Sequence, residues 1–537
     1  MKTSDFTGTG MLFRLFLRRD RFLLSVWVFL PSILLLGNAA TFIAMGSRSE
    51  GLQSALTQFN NDPLISAVLG PVMSIDLPGA IVWRTVSLLS LALGLSSLLT
   101  VIRHTRTAEE TGRSELIRAY IVGPYANLTA ALILTVVGNL AAGVLIALSI
   151  IGLGGAAGGS FLFGATMSAI GCFFAGIGAL AIQLRDNSGS ARGIGIAALG
   201  LGMLMAILNN FGGGFTLLRW MTPMAWQRVI KPFAGNHGWG LLYYTAFAAV
   251  PSLIAYVLSA RRDLGAGVLL ARSGPREAAL HLSSPLVLAW RLHRRSFIGW
   301  LVGTVLYIVV FAAISPVLSN AGGMSDWLSN LGGTSWTHEV GLGYIFISIG
   351  IYLMSLIVAV YAMSTVLRLK KEENEGRTEM LLDKQVSRIR WMSSHLIVAT
   401  LGSAALLLVM GIAGGLVYGL AAGDLSIGFW HIFVMSVSKI PPVWLLSGLA
   451  TLLYGLWPRI TALGWVVWLS FTLLEVTWEM QLIDWSLMRI SPFSYAHYTI
   501  NISDLPLFKL FWLLCLSAVL TGIGLLGFRN RDVLTKA

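Results

Sequence analysis

The chain has 537 residues, of which 56% are hydrophobic and 11% charged, and its 37 Lys and Arg outnumber 24 Asp and Glu for a formal net charge of +13. Soluble chains run at about 45–50% apolar and about 25% charged, so this composition cannot supply a water-facing surface, and a soluble enzyme or binding domain is excluded. The excess basic charge lies in short clusters between long apolar runs, which is a topological pattern and argues against nucleic-acid binding.

In chain order, a basic amphipathic stretch, Phe13-Arg14-Leu15-Phe16-Leu17-Arg18-Arg19, leads into an apolar run at 22–45. That run is longer than a signal h-region and ends without a small-residue cleavage motif, so it reads as a retained signal anchor. Runs at 80–102, 126–151, 160–184, 193–211 and 240–259 follow, each able to cross a hydrocarbon core of about 30 Å as a helix. A second set lies at 297–318, 341–366, 391–420, 428–456, 460–476 and 508–527. The chain is therefore expected to be an all-α polytopic membrane protein of about twelve spans. It divides into a first six-span half (1–263), a linker (264–284) and a second six-span half (285–537).

About 29 of the 37 Lys and Arg fall in alternate connections, which the positive-inside rule makes cytoplasmic together with both termini. The connections near 152–160, 319–340 and 421–427 hold none, whereas 212–240 carries Arg219, Arg228 and Lys231. The only cysteines, Cys172 and Cys515, both lie within predicted spans, so no disulfide framework or metal cluster is indicated.

The halves repeat. The entry stretch recurs as Trp290-Arg291-Leu292-His293-Arg294-Arg295, with Ser284 and Pro285 suited to start a helix lying at the membrane interface. After the second span, Glu109-Glu110-Thr111-Gly112-Arg113-Ser114-Glu115-Leu116 aligns without a gap to Glu373-Asn374-Glu375-Gly376-Arg377-Thr378-Glu379-Met380 after the eighth. Glu109 with Arg113 and Glu373 with Arg377 have i,i+4 spacing in the acidic-first order, which predicts a short helix in each loop. Solvated connections between hairpin helices are the plainer reading of a charge run, but recurrence at matching places favours a role. Thr222-Pro223-Met224-Ala225-Trp226 likewise matches Ser491-Pro492-Phe493-Ser494-Tyr495, and Arg262-Asp263 matches Arg531-Asp532. An even number of spans per half makes the repeat parallel, about an axis along the membrane normal.

Within the spans, Lys439 beside Pro441 and Pro442 is the deepest ionisable residue, and Glu475 on the following span is its expected partner. Arg84 sits near enough to an outer edge to snorkel. Gly411, Gly415 and Gly419 form successive Gly-x-x-x-Gly steps suited to close helix packing. Segments 212–239 and 477–507, rich in Trp, Pro and Tyr, suit interfacial or re-entrant helices.

Taken in this order, the two Arg-rich entry stretches, the two Gly-Arg-x-Glu loops and the stretch Arg261-Arg262-Asp263-Leu264-Gly265-Ala266-Gly267 ahead of Ser284-Pro285-Leu286 resemble the membrane subunits of ABC-2-type exporters. The resemblance is to the double-length polyketide-antibiotic or multidrug permeases, such as tetronasin-resistance permeases. It covers nearly the whole chain and implies two six-helix halves of ABCG-like (type V) fold in a bacterial inner membrane. It implies that Glu109, Gly112, Arg113 and Glu115, with Glu373, Gly376, Arg377 and Glu379, dock two copies of a separate ATPase. ATP and Mg would be bound by that partner, since no Gly-Lys pair occurs for a Walker loop and this chain has no cofactor of its own. It further implies that segments 212–239 and 477–507 form an outward lid. A pathway lined by the second and fifth spans would contain Leu88, Leu91, Leu95, Met203, Met205, Leu356, Trp465, Trp468 and Phe471. Such apolar, aromatic and Met side chains suit a hydrophobic or amphipathic drug-like solute.

A proton-coupled secondary transporter of major-facilitator type shares twelve spans, a parallel repeat and a basic loop after the second span. Against it, these loops carry a longer charge pattern than that family's Gly-x-x-x-Asp-Arg-x-Gly-Arg turn, and the stretch from Gly46 to Gly79 is unusually long. Enzyme signatures are missing: His338-Glu339 lacks the second His of a zinc protease, and no Gly-x-Ser-x-Gly elbow occurs.

Overall fold

The computed structural model describes residues 3–45, 56, 57, 60, 66, 70–112, 122–210, 220–261, 267–269, 284–318, 342–383, 386–423, 425–479, 483–496 and 506–532. Among these the regular structure is entirely helical, and eleven helical stretches are long and apolar enough to cross a membrane. The chain divides into two compact units, Met1–Gly274 and Pro275–Ala537.

The first unit contains α1 (Thr9–Arg19), α2 (Arg21–Met45), α3 (Leu77–His104), α4 (Arg106–Glu110), α5 (Ala126–Gly152), α6 (Ala157–Leu184), α7 (Ser188–Leu208) and α8 (Trp239–Ser259). Two starts follow ordinary capping chemistry. Asp76 accepts the Gly79 amide at 3.2 Å ahead of Pro78 in α3, and Asn187 accepts the Ser190 amide at 2.7 Å ahead of α7. Helix α6 is the hub, packed on α3, α5, α7 and α8. Its approach to α5 is so close that a Cβ on Gly164 would lie 2.1 Å from the Gly143 carbonyl oxygen. Deeper in the same seam, Asn139 of α5 is buried and donates to Ser97 Oγ of α3 at 2.8 Å, while its backbone carbonyl accepts Ser168 of α6 at 2.9 Å. Small residues let the backbones meet, and a satisfied polar group fixes their register.

The second unit contains α9 (Pro285–Leu318), α10 (Leu342–Asn374), α11 (Arg377–Leu382), α12 (Arg388–Ala422), α13 (Leu425–Val437), α14 (Ile440–Leu456), α15 (Ala462–Glu479) and α16 (Leu507–Asn530). Its packing repeats that of the first unit: α9 meets α10 and α12 as α2 meets α3 and α5, and α14 meets α10 and α16 as α6 meets α3 and α8. Gly411 and Gly415 of α12 seat Phe433 and Phe429 of α13, in the close approach their spacing suggests.

Two local departures from the sequence reading have physical causes. The first entry stretch forms a separate helix, because buried Asp20 interrupts it, but the second runs on without a break as α9, where no acid intervenes. The tenth span pauses at Ser438 and Lys439 and restarts as α14, whose first turn holds Pro441 and Pro442, residues with no amide to donate backwards. Helix α15, the eleventh expected span, has 18 residues and buries Glu475.

Replacing Gly164 with Val should separate α5 from α6 and cost about 1–3 kcal/mol, the usual range for overpacking. The unfolding midpoint of the purified protein in detergent should drop, while Gly158→Ala, where a Cβ meets nothing within 4 Å, should leave it unchanged.

Candidate functional site

The loop after the second long helix begins in both units with a tightly held basal turn. In the first unit, α3 ends at His104, whose Nε2 lies 2.8 Å from Asp20 Oδ2, while Arg103 reaches Asp20 Oδ1 at 3.1 Å. Phe16 of α1 covers the His104 ring at 4.2 Å between centroids. Helix α4 follows, with Arg106 donating to Glu109 at 2.5 Å, and the chain turns at Gly112 with φ +70°. Arg113 and Glu115 lie outside the described residues.

In the second unit α10 runs on through the region corresponding to α4, as far as Asn374, and then turns at Gly376 with φ +75°. Both aligned glycines thus occupy left-handed backbone, which costs a residue with a Cβ about 1–2 kcal/mol. This turn separates Glu373 from Arg377, so the expected i,i+4 pair does not form. Arg377 instead donates to Glu372 at 2.6 Å and also contacts Glu375. Glu373 points inward, where it is buried and takes a bidentate pair of bonds from Arg531 at 2.8 and 2.7 Å and a third from the Tyr454 hydroxyl at 2.7 Å. Arg531 in turn stacks on the rings of Tyr454 and Phe528. Removing one partner of such a buried pair costs about 3–5 kcal/mol. Arg377, Glu379 and Met380 are exposed, and Thr378 is buried. The matching residues Arg262 and Asp263 lie outside the described residues.

Both loops are also bonded to the start of the fifth long helix of their own unit. In the first unit Glu110 accepts the Ser188 amide at 2.5 Å and the Ser188 hydroxyl at 2.6 Å, at the first residue of α7. In the second unit Asn374 stands where Glu110 does and is exposed, and the link is made one turn earlier: Lys370 donates to Thr461 Oγ1 at 2.8 Å, immediately before α15. Different side chains thus make the same mechanical connection.

Within the second unit the structure brings Lys439 and Glu475 into one buried cluster. The Lys439 ammonium lies 5.3 Å from the centroid of the Tyr352 ring, Tyr352 hydrogen-bonds Glu475, and its hydroxyl lies 3.2 Å from Ser491 Oγ. Both charged residues are fully buried and attract one another. Arg84 is half-buried on α3.

Leu88, Leu91 and Leu95 form part of the least buried stripe of α3, and Met203 and Met205 are half-buried on α7. Leu356 is 1% exposed and packs into the core of its unit, with its carbonyl accepting Trp468 Nε1 at 2.8 Å. The open stripe of α10 runs instead through Leu353, Ile357, Val360 and Ser364. Trp465, Trp468 and Phe471 are half-buried on α15, packed against the same core.

Of the segments read as lids, 211–219, 480–482 and 497–505 lie outside the described residues. The described parts hold two matching turns, Pro223–Ala225 and Pro492–Ala496, closed by Ala225 N–H to Thr222 at 3.0 Å and Ser494 N–H to Ser491 at 3.1 Å. Sequence reasoning overlooked Asp20, Glu372 and Tyr454. Asp20 left a signal, as the one carboxylate between Asp5 and Glu50, set among arginines.

Comparison with known proteins shows the family of the chain. Residues 282–529 match the family described as "Multidrug efflux system permease Rv1217c, C-terminal domain". Over 99% of its length the chain is 36% identical to the multidrug efflux system permease protein Rv1217c of Mycobacterium tuberculosis, covering 96% of that protein. With its multi-pass helical architecture and full-length similarity, the chain belongs to the family of multidrug efflux system permeases.

Proposed function

We propose that this chain is the membrane-spanning permease of an ATP-driven exporter of the ABC-2, polyketide-antibiotic type, worked by two copies of a separate ATPase. The loops after α3 and α10 would be the docking points, at the cytoplasmic face. The observation that carries this reading is a link to the base of the fifth helix in each unit, from the loop residue Glu110 to Ser188 in the first and from Lys370, in the last turns of α10, to Thr461 just before α15 in the second. A push on either loop then reaches the second and fifth helices together, and these are the helices assigned to the pathway. Glu373, with Arg531 and Tyr454, serves as an internal anchor that stiffens the loop, leaving Arg377, Glu379 and Met380 as the surface a partner would meet.

The solute would be hydrophobic or amphipathic. On α3 and α10 the open stripes are mainly apolar, and Trp465, Trp468 and Phe471 offer large adaptable faces on α15. A sugar or ion route needs several converging polar groups. Leu353, Ile357 and Val360 replace Leu356 as the proposed lining on α10, because Leu356 turns into the core.

Two outcomes follow. Purified with its genomic neighbours, the chain should hold two ATPase copies, and Arg377→Glu should weaken their retention with the permease still folded. A chain that purifies alone and transports on a proton gradient belongs to the rival secondary-transporter reading.

In the assembled transporter, Trp465→Ala with Phe471→Ala should lower hydrophobic-drug-stimulated ATP hydrolysis and cellular resistance by roughly tenfold, as expected for loss of about 1–3 kcal/mol of aromatic contact. Unchanged responses to every hydrophobic compound, with a polar solute still carried, would rule out both the lining and the solute class.

A further inference from the structure

Each unit carries on its entry segment a row of outward-facing arginines that the account above leaves unused. In the first unit Arg14, Arg18 and Arg21 are exposed at i, i+4 and i+7, beside exposed Met11 and Leu15. Arg14 and Arg18 share an open face of α1 with Gly10, Met11 and Leu15. In the second unit Arg291, Arg294 and Arg295 are exposed on the first turns of α9. Among the described residues none of these six arginines has a carboxylate in ion-pair range. Among the described residues the acid beside the first row, Asp20, is buried against His104 and Arg103, and the acid near the second, Glu372, is taken up by Arg368 and Arg377.

In the second unit the arginine-bearing face of α9 continues below the row as bare hydrocarbon, and in the first unit the next helix, α2, which begins at Arg21, presents a matching apolar stripe. On α2 the exposed residues are Phe22, Val26, Phe29 and Ile33, and on α9 they are Ile298, Val302 and Leu306. At 1.5 Å per residue these stripes run for about 12–16 Å, close to the hydrocarbon depth of one leaflet at about 15 Å. Guanidinium groups suit phosphate because their fork donates two parallel hydrogen bonds, and the stripe beneath suits acyl chains.

We propose that each unit binds an anionic phospholipid, its phosphate held by Arg14, Arg18 and Arg21 in the first unit and by Arg291, Arg294 and Arg295 in the second, with the acyl chains along the apolar stripe below. Simple topogenic charge explains basic residues near a membrane end. It does not require a leaflet-long exposed apolar stripe to adjoin them, as one does in each unit. The occupant is a lipid headgroup and not free phosphate, because the arginines alone, exposed to water, hold a soluble anion weakly.

The test uses the full chain, purified in a nonionic detergent and examined by native mass spectrometry with phosphatidylglycerol, phosphatidylcholine of the same chains, or glycerol 3-phosphate. Two phosphatidylglycerol molecules per chain should be retained in preference to phosphatidylcholine, with glycerol 3-phosphate not competing. Arg14→Gln with Arg18→Gln should remove one lipid and Arg291→Gln with Arg294→Gln the other, each neutralised arginine weakening retention on the order of fivefold. The Lys versions, which keep charge and topology, should lose less than the Gln versions. Equal retention of both lipids by the unmodified chain overturns the proposal whether or not any variant folds. So does competition by glycerol 3-phosphate, or Gln variants that keep their lipid and lose a bound ATPase, which would make this face a protein docking surface.

Discussion

Hydrocarbon offers no partner to a peptide amide or a stray charge, and most of this structure follows from that. Long helices satisfy their own backbones, glycine faces such as Gly143 against Gly164 let them touch, and the polar side chains that remain are tied to one another. Asn139 meets Ser97, Lys439 meets the Tyr352 and Glu475 cluster, and Glu373 meets Arg531 and Tyr454. These ties are few, so each fixes a register that apolar contact alone would leave free to slide.

The strongest ties gather where the second long helix of each unit ends. There the chain leaves the membrane-spanning helix, turns at a glycine with positive φ, and is bonded both to the entry segment and to the start of the fifth helix. In the second unit Arg368 donates to the Leu292 carbonyl of the entry segment at 3.0 Å, the counterpart of His104 with Asp20 in the first. On the proposed function, a loop held at both ends in this way would transmit displacement and not absorb it. The two units reach this with different residues, which leaves room for unequal roles.

Much of the fold could be read from the sequence because span length and basic loops answer directly to the bilayer. Most span ends fell within about five residues of the helices; the exceptions are α9, which takes in the entry stretch and starts at Pro285 instead of 297, α10, which runs on to Asn374 instead of 366, and the tenth span, which the paired prolines Pro441 and Pro442 restart. The duplicated loop was visible as a motif, but its internal bonding was not. The spacing of Glu373 and Arg377 suggested one helix, whereas the glycine between them turns the chain and sends Glu373 to a residue 158 positions away. Leu356 shows the same limit: the membrane-crossing part of α10 is apolar on all sides apart from a few Ser and Thr, so periodicity gives no way to tell the core face from the open one.

The account rests on the claim that the loop drives the fifth helix through its side-chain link. The most direct measurement is the number of solute molecules exported per ATP hydrolysed by the assembled transporter when Glu110→Ala and Lys370→Met cut both links at once. This ratio is insensitive to a mere loss of folded protein. It should fall several-fold while ATP hydrolysis continues; an unchanged ratio at normal hydrolysis would contradict the account.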